Sequence, residues 1–271
     1  MDRAPDILDL VSSLKAKGET FALATVVRTV AMTAAKAGAK AVIRPDGTIS
    51  EGWIGGGCAR GAVLNAAREA MVDGRSRLIS VQPPDVLEVH GVKAGEEREG
   101  VRFARNMCPS HGTMDIFIEP VLPRPQIVVF GSSPVAVAIA DLGRRVGFGI
   151  TVCAPPGEQS AFLEADRRID GFALPVLEDG LRFAVVATQG RGDEAALQAA
   201  LAADTVYVAF VGSRLKAEAL KAELASRDVN SNRLAQLRSP AGLDLGAIGP
   251  EEIALSILAE ITLLRRRGRT D

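Results

Sequence analysis

The sequence is poor in the residues that build metal clusters and disulfide frameworks. Its 271 residues include 3 cysteines, 2 histidines, 1 tryptophan and 1 tyrosine. Three scattered cysteines are too few for a disulfide framework, and no C-x-x-C pair indicates a structural zinc site. We therefore expect reduced thiols, whose chemistry, if they have any, is reactive or metal-binding rather than structural.

Strong net charge and long apolar runs are also missing. A formal net charge of −1 gives no broad basic surface for nucleic acid or an anionic membrane. No apolar run reaches the length of a membrane span, and the N-terminal residues show no signal-peptide pattern. We expect a cytoplasmic protein that binds neither nucleic acid nor membranes.

The pattern of predicted strands and helices changes near residue 122, which predicts two domains. Residues 1–122 contain short strands and two amphipathic helical patterns, which predict an α+β domain with a mixed sheet. The segment "PVLPRPQ" (120–126) carries three prolines and is a stiff connection. Residues 123–271 alternate valine-rich strands with helical runs, as in a Rossmann-like parallel α/β domain. The predicted fold class is therefore α/β.

The second domain begins with the stretch "VVFGSSPVAVAIADLGRRVGF". It matches only part of the glycine-rich G-x-G-x-x-G/A motif that binds dinucleotides. Gly131 is present, but Ser133 replaces the glycine that lets a pyrophosphate approach. Ser132 and Ser133 can still donate to a phosphate. The next strand ends in "TVCAPPGE", without the acid that holds the ribose of NAD. These residues favour binding of a phosphate-bearing ligand at the turn over a purely structural role of Gly131. They argue against binding of NAD in the usual way.

A second strand-to-helix turn lies in "VGSRLKAEALKAEL". Gly212 and Ser213 close a buried strand, and Arg214 and Lys216 follow in the first helical turn. Cations at a helix N-terminus oppose the helix dipole, which makes sense if an anion lies between them. An exposed helix start with two solvated charges explains the spacing equally well.

The stretch "EGWIGGGCARG" places a thiol at a predicted helix start. Gly55, Gly56 and Gly57 allow a bulky ligand to reach the backbone, and Cys58 follows them. A helix N-terminus favours thiolate, and Arg60 adds to that effect. The alternative is a buried small hydrophobe, the usual fate of a cysteine without a disulfide.

The stretch "NMCPSHGTMD" forms a second loop with soft ligands. Cys108 and His111 are three positions apart, and both residue types suit soft or borderline metals. Two ligands do not make a structural zinc site, so the spacing alone is a weak signal.

Taken together, these motifs resemble the XdhC/CoxI family of molybdenum-enzyme maturation factors. The matching stretches include "LATVVRT", "GGGCARGAV", "GTMDIFIEPVLP", "ATQGRGDEAAL" and "SPAGLDLGAIGPEEIALSILAEI". The resemblance implies a chaperone that binds, protects and delivers the molybdenum cofactor and supports its sulfuration. It also implies an apo molybdenum hydroxylase and a cysteine desulfurase as partners, and it favours a homodimer.

The resemblance also implies a set of site residues. The turns Gly131–Ser133 and Gly212–Arg214 would hold the cofactor's phosphates, with the cofactor lying between the two domains. Gln189, in "ATQGRGDEAAL", joins that set, and Arg60 would contact an anionic part of the cofactor. Cys58 and Cys108, together with His111, would face the metal or its sulfur.

Departures from the family pattern point to one branch. Family members carry Gly-Gly-Cys followed by a hydrophobe and glutamate, whereas this chain has Arg60 at the glutamate position. The usual Cys-Gly-Gly of the second loop is here "CPSHG". This pattern resembles the CoxF-like proteins that accompany carbon monoxide dehydrogenase. That branch implies a molybdopterin cytosine dinucleotide cofactor and raises copper as a second cargo.

An enzyme is the alternative function. The Rossmann-like domain would then serve an NAD(P)-dependent oxidoreductase. The damaged glycine motif and the missing ribose acid argue against it, and no Ser-His-Asp order or Tyr-x-x-x-Lys pair supplies a proton relay. A docking scaffold has little use for the glycine loops. We therefore expect a cofactor chaperone rather than a catalyst.

Overall fold

The structure is a computed structural model that describes residues 6–108, 111–175, 180–227 and 229–267. The side chains of Cys58 and Arg267 lie outside the described part. The chain divides into two compact units, Met1–Pro123 and Arg124–Asp271.

The first unit is built on a seven-stranded sheet with the order β3-β2-β1-β7-β4-β6-β5. Most neighbours are antiparallel, but β4 and β6 are parallel, so the predicted mixed sheet is confirmed. The elements are α1 (Ile7–Ala16), β1 (Phe21–Val30), β2 (Lys40–Ile43), β3 (Ile49–Gly52), α2 (Gly57–Asp73), β4 (Arg77–Gln82), α3 (Pro84–Val89), β5 (Glu97–Arg98), β6 (Val101–Arg105) and β7 (Thr113–Val121).

Helix α2 covers one face of this sheet. Alternation along β7 turns Met114, Ile116 and Ile118 into the core, because side chains of a strand point to opposite faces in turn. They pack in one cluster with Val63 and Ala67 of α2. Helix α1 packs on β1 and β2 through a smaller cluster. Ala59, in the first turn of α2, belongs to the same cluster, so the start of the helix is held against the sheet.

The second unit contains a five-stranded sheet with the order β10-β9-β8-β11-β12. All of its strand pairs are parallel, which confirms the Rossmann-like prediction. The elements are β8 (Gln126–Phe130), α4 (Pro134–Arg145), β9 (Gly149–Ala154), a 3-10 helix (Pro156–Phe162), β10 (Arg167–Asp170), β11 (Arg182–Val186), α5 (Asp193–Ala202), β12 (Tyr207–Phe210), α6 (Arg214–Ala225), α7 (Ser231–Gln236) and α8 (Pro250–Arg267).

Buried clusters lie on both faces of this parallel sheet. One cluster joins Ile127 and Val129 of β8 to α4 and α8, and the other joins Val128 and Phe130 to α5 and α6. This explains the continuous apolar strands in the sequence, since parallel strands are covered on both faces. Among the described helices, none combines the length and the apolar content needed to cross a membrane.

The structure predicts that only glycine fits at position 131, because a side chain there would collide with the neighbouring backbone. Its φ is +107°, and a Cβ there would lie 2.7 Å from the carbonyl oxygen of Ala187 and from Cα of Thr188. Gly131→Ala is expected to lower the free energy of unfolding by about 2–4 kcal/mol, measured by urea denaturation. Gly157→Ala is the control, since a Cβ there meets nothing within 4 Å. Equal stability of the two variants would contradict this account.

Candidate functional site

A cavity of about 320 Å³ lies in the first unit, where three loops meet the start of β7. Residues 33–34 follow β1, residues 56–57 and Ala59 lie at the start of α2, and residues 106–108 follow β6. Met114 of β7 completes the lining. Two stretches selected from the sequence, "GGGC" and "NMC", therefore contribute to one cavity.

The first residues of α2 line this cavity, and their backbone N–H groups have no side-chain cap. Gly56 is the N-cap and has no side chain to accept the first N–H groups, and the first turn holds no acidic residue. Gly55 and Gly57 have φ values of 98° and 56°, a region that favours glycine. Arg60 is exposed and makes no ion pair with any described residue. The uncapped N-terminus of a helix favours an anionic group, so this end of the cavity suits one.

Cys58 lies in the first turn of α2, between two residues that line the cavity. Its side chain is outside the described residues, so its predicted role as a ligand stays a prediction.

The Cys108 loop is held by Asn106. The Asn106 side chain donates from Nδ2 to the carbonyl oxygen of Gly112 at 2.6 Å, and its Oδ1 accepts from the Cys108 N–H at 2.9 Å. The His111 N–H donates to the carbonyl of Cys108 at 3.1 Å. A Cβ on Gly112 would collide with the carbonyl oxygen of Met32, so only glycine permits this approach. The loop is therefore fixed against the residues that follow β1.

His111 lies outside the cavity lining. Its imidazole is exposed, and Nδ1 is 3.9 Å from Oδ1 of Asp85. Among the described residues, no group of three or more His, Cys, Asp or Glu side chains is arranged to hold a metal ion. The assignment of His111 as a metal ligand stays a prediction.

The sequence analysis did not identify Asn106, nor two exposed apolar residues near the cavity, Trp53 and Met107. An asparagine two residues before Cys108 is the signal of an Asx turn, and it was available in the sequence. Trp53 and Met107 are exposed large hydrophobic residues, and the Trp53 ring lies 3.7 Å from the position of a Cβ on Gly56. No local pattern identifies these two residues, because their position depends on how the loops meet.

The serines of the Gly131 turn already have partners inside the second unit. Ser133 is the N-cap of α4, and its hydroxyl accepts from the Ala136 N–H at 3.2 Å. Ser132 donates to the carboxylate of Glu158, which also accepts from Arg191 at 3.1 Å. Phosphate binding at this turn would therefore depend on backbone N–H groups, and it stays a prediction.

Glu158 is a second residue that sequence reasoning missed. It lies four positions beyond the end of β9, past two prolines, yet its carboxylate reaches the glycine turn. A carboxylate therefore lies at the glycine turn, although it comes from the 3-10 helix after the strand and is paired with Ser132 and Arg191.

The second strand-to-helix turn also has internal partners. Ser213 caps α6 by accepting from the Lys216 N–H at 3.3 Å, and the Lys216 ammonium pairs with Asp193. A Cβ on Gly212 would collide with the Phe210 ring. The charge of Lys216 is therefore balanced within the fold. Arg214 is exposed and has no ion-pair partner in the described part of the chain.

Asp193 organises the loop that contains Gln189. Its carboxylate accepts from the Thr188 hydroxyl and from the Gly190 N–H at 3.0 Å. Burial alone would raise the pKa of Asp193, but hydrogen bonds from Lys216, Thr188 and Gly190 outweigh burial and lower it. Gln189 lies in this loop with a φ of 53°. Its predicted contact with the cofactor stays a prediction.

The third cysteine, Cys153, is a buried core residue of β9. Burial raises the pKa of its thiol to about 12. This thiol is protonated and shielded at neutral pH, so it serves as an internal reference for the cysteines of the first unit.

Comparison with known proteins identifies the class of this two-unit α/β protein. The family model described as the XdhC Rossmann domain matches residues 127–261, and the model of the XdhC and CoxI family matches residues 14–82. The chain belongs to the XdhC and CoxI family.

Two curated relatives show how far the likeness extends. The protein of Escherichia coli K12 called "Uncharacterized protein YqeB" is 28% identical over 275 residues, covering 97% of this chain and 47% of its own length. A Bacillus subtilis 168 protein described as a probable xanthine dehydrogenase subunit is 32% identical over 167 residues, covering 57% of this chain and 47% of its own length. The chain spans about half the length of these relatives.

A solved structure is also similar. It is a crystal structure described as a xanthine dehydrogenase from Bacillus halodurans, with a TM-score of 0.46 and 19% identity. The match covers 97% of this chain and 96% of that one.

The geometry of the Cys108 loop gives a prediction for Asn106→Ala. Losing both side-chain bonds is expected to lower the free energy of unfolding by about 1–2 kcal/mol. Residues 106–108, 111 and 112 should also exchange their amide hydrogens faster, as measured by mass spectrometry. Asn65→Ala, on α2, is the control and should leave exchange in this loop unchanged. Unchanged exchange in Asn106→Ala would contradict the role given to Asn106.

Proposed function

We propose that this protein binds the molybdenum cofactor, protects it and delivers it to an apo molybdenum hydroxylase. The observation that carries the proposal is the single cavity formed by the Gly56–Gly57 and Cys108 loops. Family membership and the name of the Bacillus subtilis relative, which refers to xanthine dehydrogenase, support the same function.

The chemistry of the cavity lining supports a soft, anionic cargo. Cys108, Met107 and Met114 bring a thiol and two thioethers to its wall, and sulfur ligands prefer soft metals and metal–sulfur groups. The uncapped start of α2 and the nearby Arg60 favour negative charge. In this proposal, Cys108 contacts the metal-bearing end and Arg60 its anionic part.

The size of the cavity limits what it holds. A volume of about 320 Å³ is at the small end of the usual range for ligand pockets, about 300–1,000 Å³. In the proposal, the cavity takes the metal-bearing end of the cofactor and leaves the nucleotide end outside it. The metal end is then shielded from water while the protein waits for its partner.

We also propose what happens to the bound cofactor and which enzyme receives it. The protein supports sulfuration of the bound cofactor by a cysteine desulfurase, and it serves carbon monoxide dehydrogenase with a cytosine dinucleotide form. Arg60 stands where other family members carry an acid, and this departure from the family pattern favours the branch. A cation two positions after Cys58 also suits retention of an anionic cofactor better than proton transfer. Copper would be a second cargo, held by Cys58, Cys108 and His111. A Cu(I) titration without a thiolate charge-transfer band would exclude it.

Cofactor retention tests the central proposal. The protein, purified from cells that make the cofactor, is expected to carry molybdenum and a fluorescent pterin. Cys108→Ala should lower both by about tenfold or more, because a metal contact is lost. Molybdenum is measured by elemental analysis and pterin by fluorescence.

Two further variants make this test specific. Cys153→Ala removes a thiol that is buried in the second unit, and it should retain the cofactor. Cys58→Ala tests the other predicted ligand separately. Equal retention in wild type, Cys108→Ala and Cys58→Ala would exclude a ligand role for both thiols, and a wild type without molybdenum or pterin would overturn the proposal.

The alternative of an NAD(P)-dependent oxidoreductase has one observation in its favour. Glu158 places a carboxylate at the glycine turn, near where a ribose acid acts in dinucleotide-binding domains. Against it, Glu158 is paired with Ser132 and Arg191, and the hydroxyl of Ser133 caps a helix. The chaperone therefore remains the better-supported function.

Calorimetry with NADH and NADPH separates the two functions. The chaperone proposal predicts no binding at concentrations up to about 1 mM. Micromolar binding by the wild type, weakened at least about tenfold in Glu158→Gln, would instead support the oxidoreductase. Glu164→Gln, at an exposed glutamate of the same unit, is the matched control.

A further inference from the structure

The single tryptophan of the chain lies beside the candidate cavity rather than in a core. Trp53 directly follows β3 and is 51% exposed. Two carbons of its indole, Cη2 and Cζ2, are 3.7 and 3.9 Å from the position that a Cβ on Gly56 would take. Gly56 and Gly57 both line the cavity and are themselves exposed, so they mark its mouth. The six-membered ring of the indole therefore lies at the mouth of the cavity.

The backbone on both sides of Trp53 is held in place. The Trp53 N–H donates to the carbonyl oxygen of Lys40 on β2 at 2.9 Å. Gly52, just before it, has a φ of +88°, and a Cβ there would collide with the same carbonyl oxygen. Ile54, just after it, is fully buried in the core of the first unit. Neighbouring side chains of extended backbone point in opposite directions, so burial of Ile54 keeps the indole outside the core.

The exposed indole is available for stacking. Of the aromatic and cation–π contacts among the described residues, none involves Trp53. Tryptophan is on average a highly buried residue, because its ring removes a large apolar area from water. Flat nitrogen heterocycles stack on exposed aromatic rings, as nucleobases do in proteins that bind single strands. A half-exposed tryptophan at the mouth of a cavity offers this kind of contact to a ligand.

The charges around the mouth favour a heterocycle with negative groups over an apolar segment of a partner. Arg60 lies three positions after Gly57, and the first turn of α2 holds no acidic residue. Glu51, two positions before Trp53, accepts from the Gly52 N–H at 3.3 Å, so its carboxylate is engaged beside its own backbone. A flat ring and an anionic substituent would each find a matching group here.

We infer that Trp53 binds the cargo by stacking on the pterin ring of the molybdenum cofactor. The inference rests on the proposed function, in which the cavity takes the metal-bearing end. The pterin adjoins that end, whereas the nucleobase lies at the far end of a dinucleotide form. The heterocycle next to the cavity is therefore the pterin. Trp53 contributes a contact that is separate from the sulfur contact of Cys108.

Tryptophan fluorescence of the full chain with 6-carboxypterin, a soluble anionic pterin, tests the inference. Because Trp53 is the only tryptophan, its emission reports on this ring alone. The pterin is expected to quench the emission of the wild type, after correction for absorbed light with N-acetyltryptophanamide. Cytidine monophosphate and ribose phosphate, which supply a nucleobase and an anion without a pterin, should leave the emission unchanged.

Equilibrium dialysis of 6-carboxypterin compares variants that lack the reporter. Trp53→Leu should raise the dissociation constant about tenfold, because leucine is apolar but has no flat ring. Trp53→Phe keeps an aromatic ring and should stay within about threefold of the wild type. Val72→Ala, at an exposed apolar residue of α2, is the control and should bind like the wild type. Circular dichroism checks folding, and Trp53→Gln replaces Trp53→Leu if that variant does not fold.

Four results would overturn the inference. They are no quenching by 6-carboxypterin, quenching by cytidine monophosphate alone, equal affinity of the wild type and Trp53→Leu, and equal weakening in Trp53→Phe and Trp53→Leu. A Trp53→Leu variant that holds the cofactor like the wild type but fails to deliver it would assign Trp53 to a partner contact instead. Failure of the proposed function is distinct, since the wild type would then be isolated without molybdenum or pterin.

Discussion

The candidate site depends on one close backbone approach, between Gly112 and the residues that follow β1. Only glycine lets the chain pass the carbonyl of Met32, and Asn106 then holds the loop by bonds to Gly112 and Cys108. Pairing of β1 with β7 aligns the two segments before they leave the sheet. The cavity beside α2 exists because these constraints bring Cys108 to the uncapped start of that helix.

In the second unit, the polar groups at the turns bind other groups of the same unit. Two of its strand-to-helix turns carry serines at the positions where a nucleotide-binding domain presents donors, but Ser133 and Ser213 cap helices. The charges beside these turns pair within the fold, as Lys216 does with Asp193. The turns are therefore largely satisfied by their own domain, whereas the start of α2 in the first unit has no side-chain cap.

Local pattern predicted the mixed sheet of the first unit and the parallel sheet of the second unit. The alternation in "TMDIFIEPVL" places Met114, Ile116 and Ile118 on one face of a strand, and that face is buried. What the sequence did not reveal are contacts between distant segments, such as that of Glu158 with Ser132. These depend on strand register and on close approaches that no local period encodes.

The central claim is that molybdenum lies against Cys108 in the cavity of the first unit. X-ray absorption at the molybdenum edge, on the protein isolated with its bound cofactor, tests it most directly. The account predicts that the wild type has one more sulfur neighbour of molybdenum than Cys108→Ser, whose serine supplies oxygen instead. Identical sulfur coordination in the two proteins would contradict it.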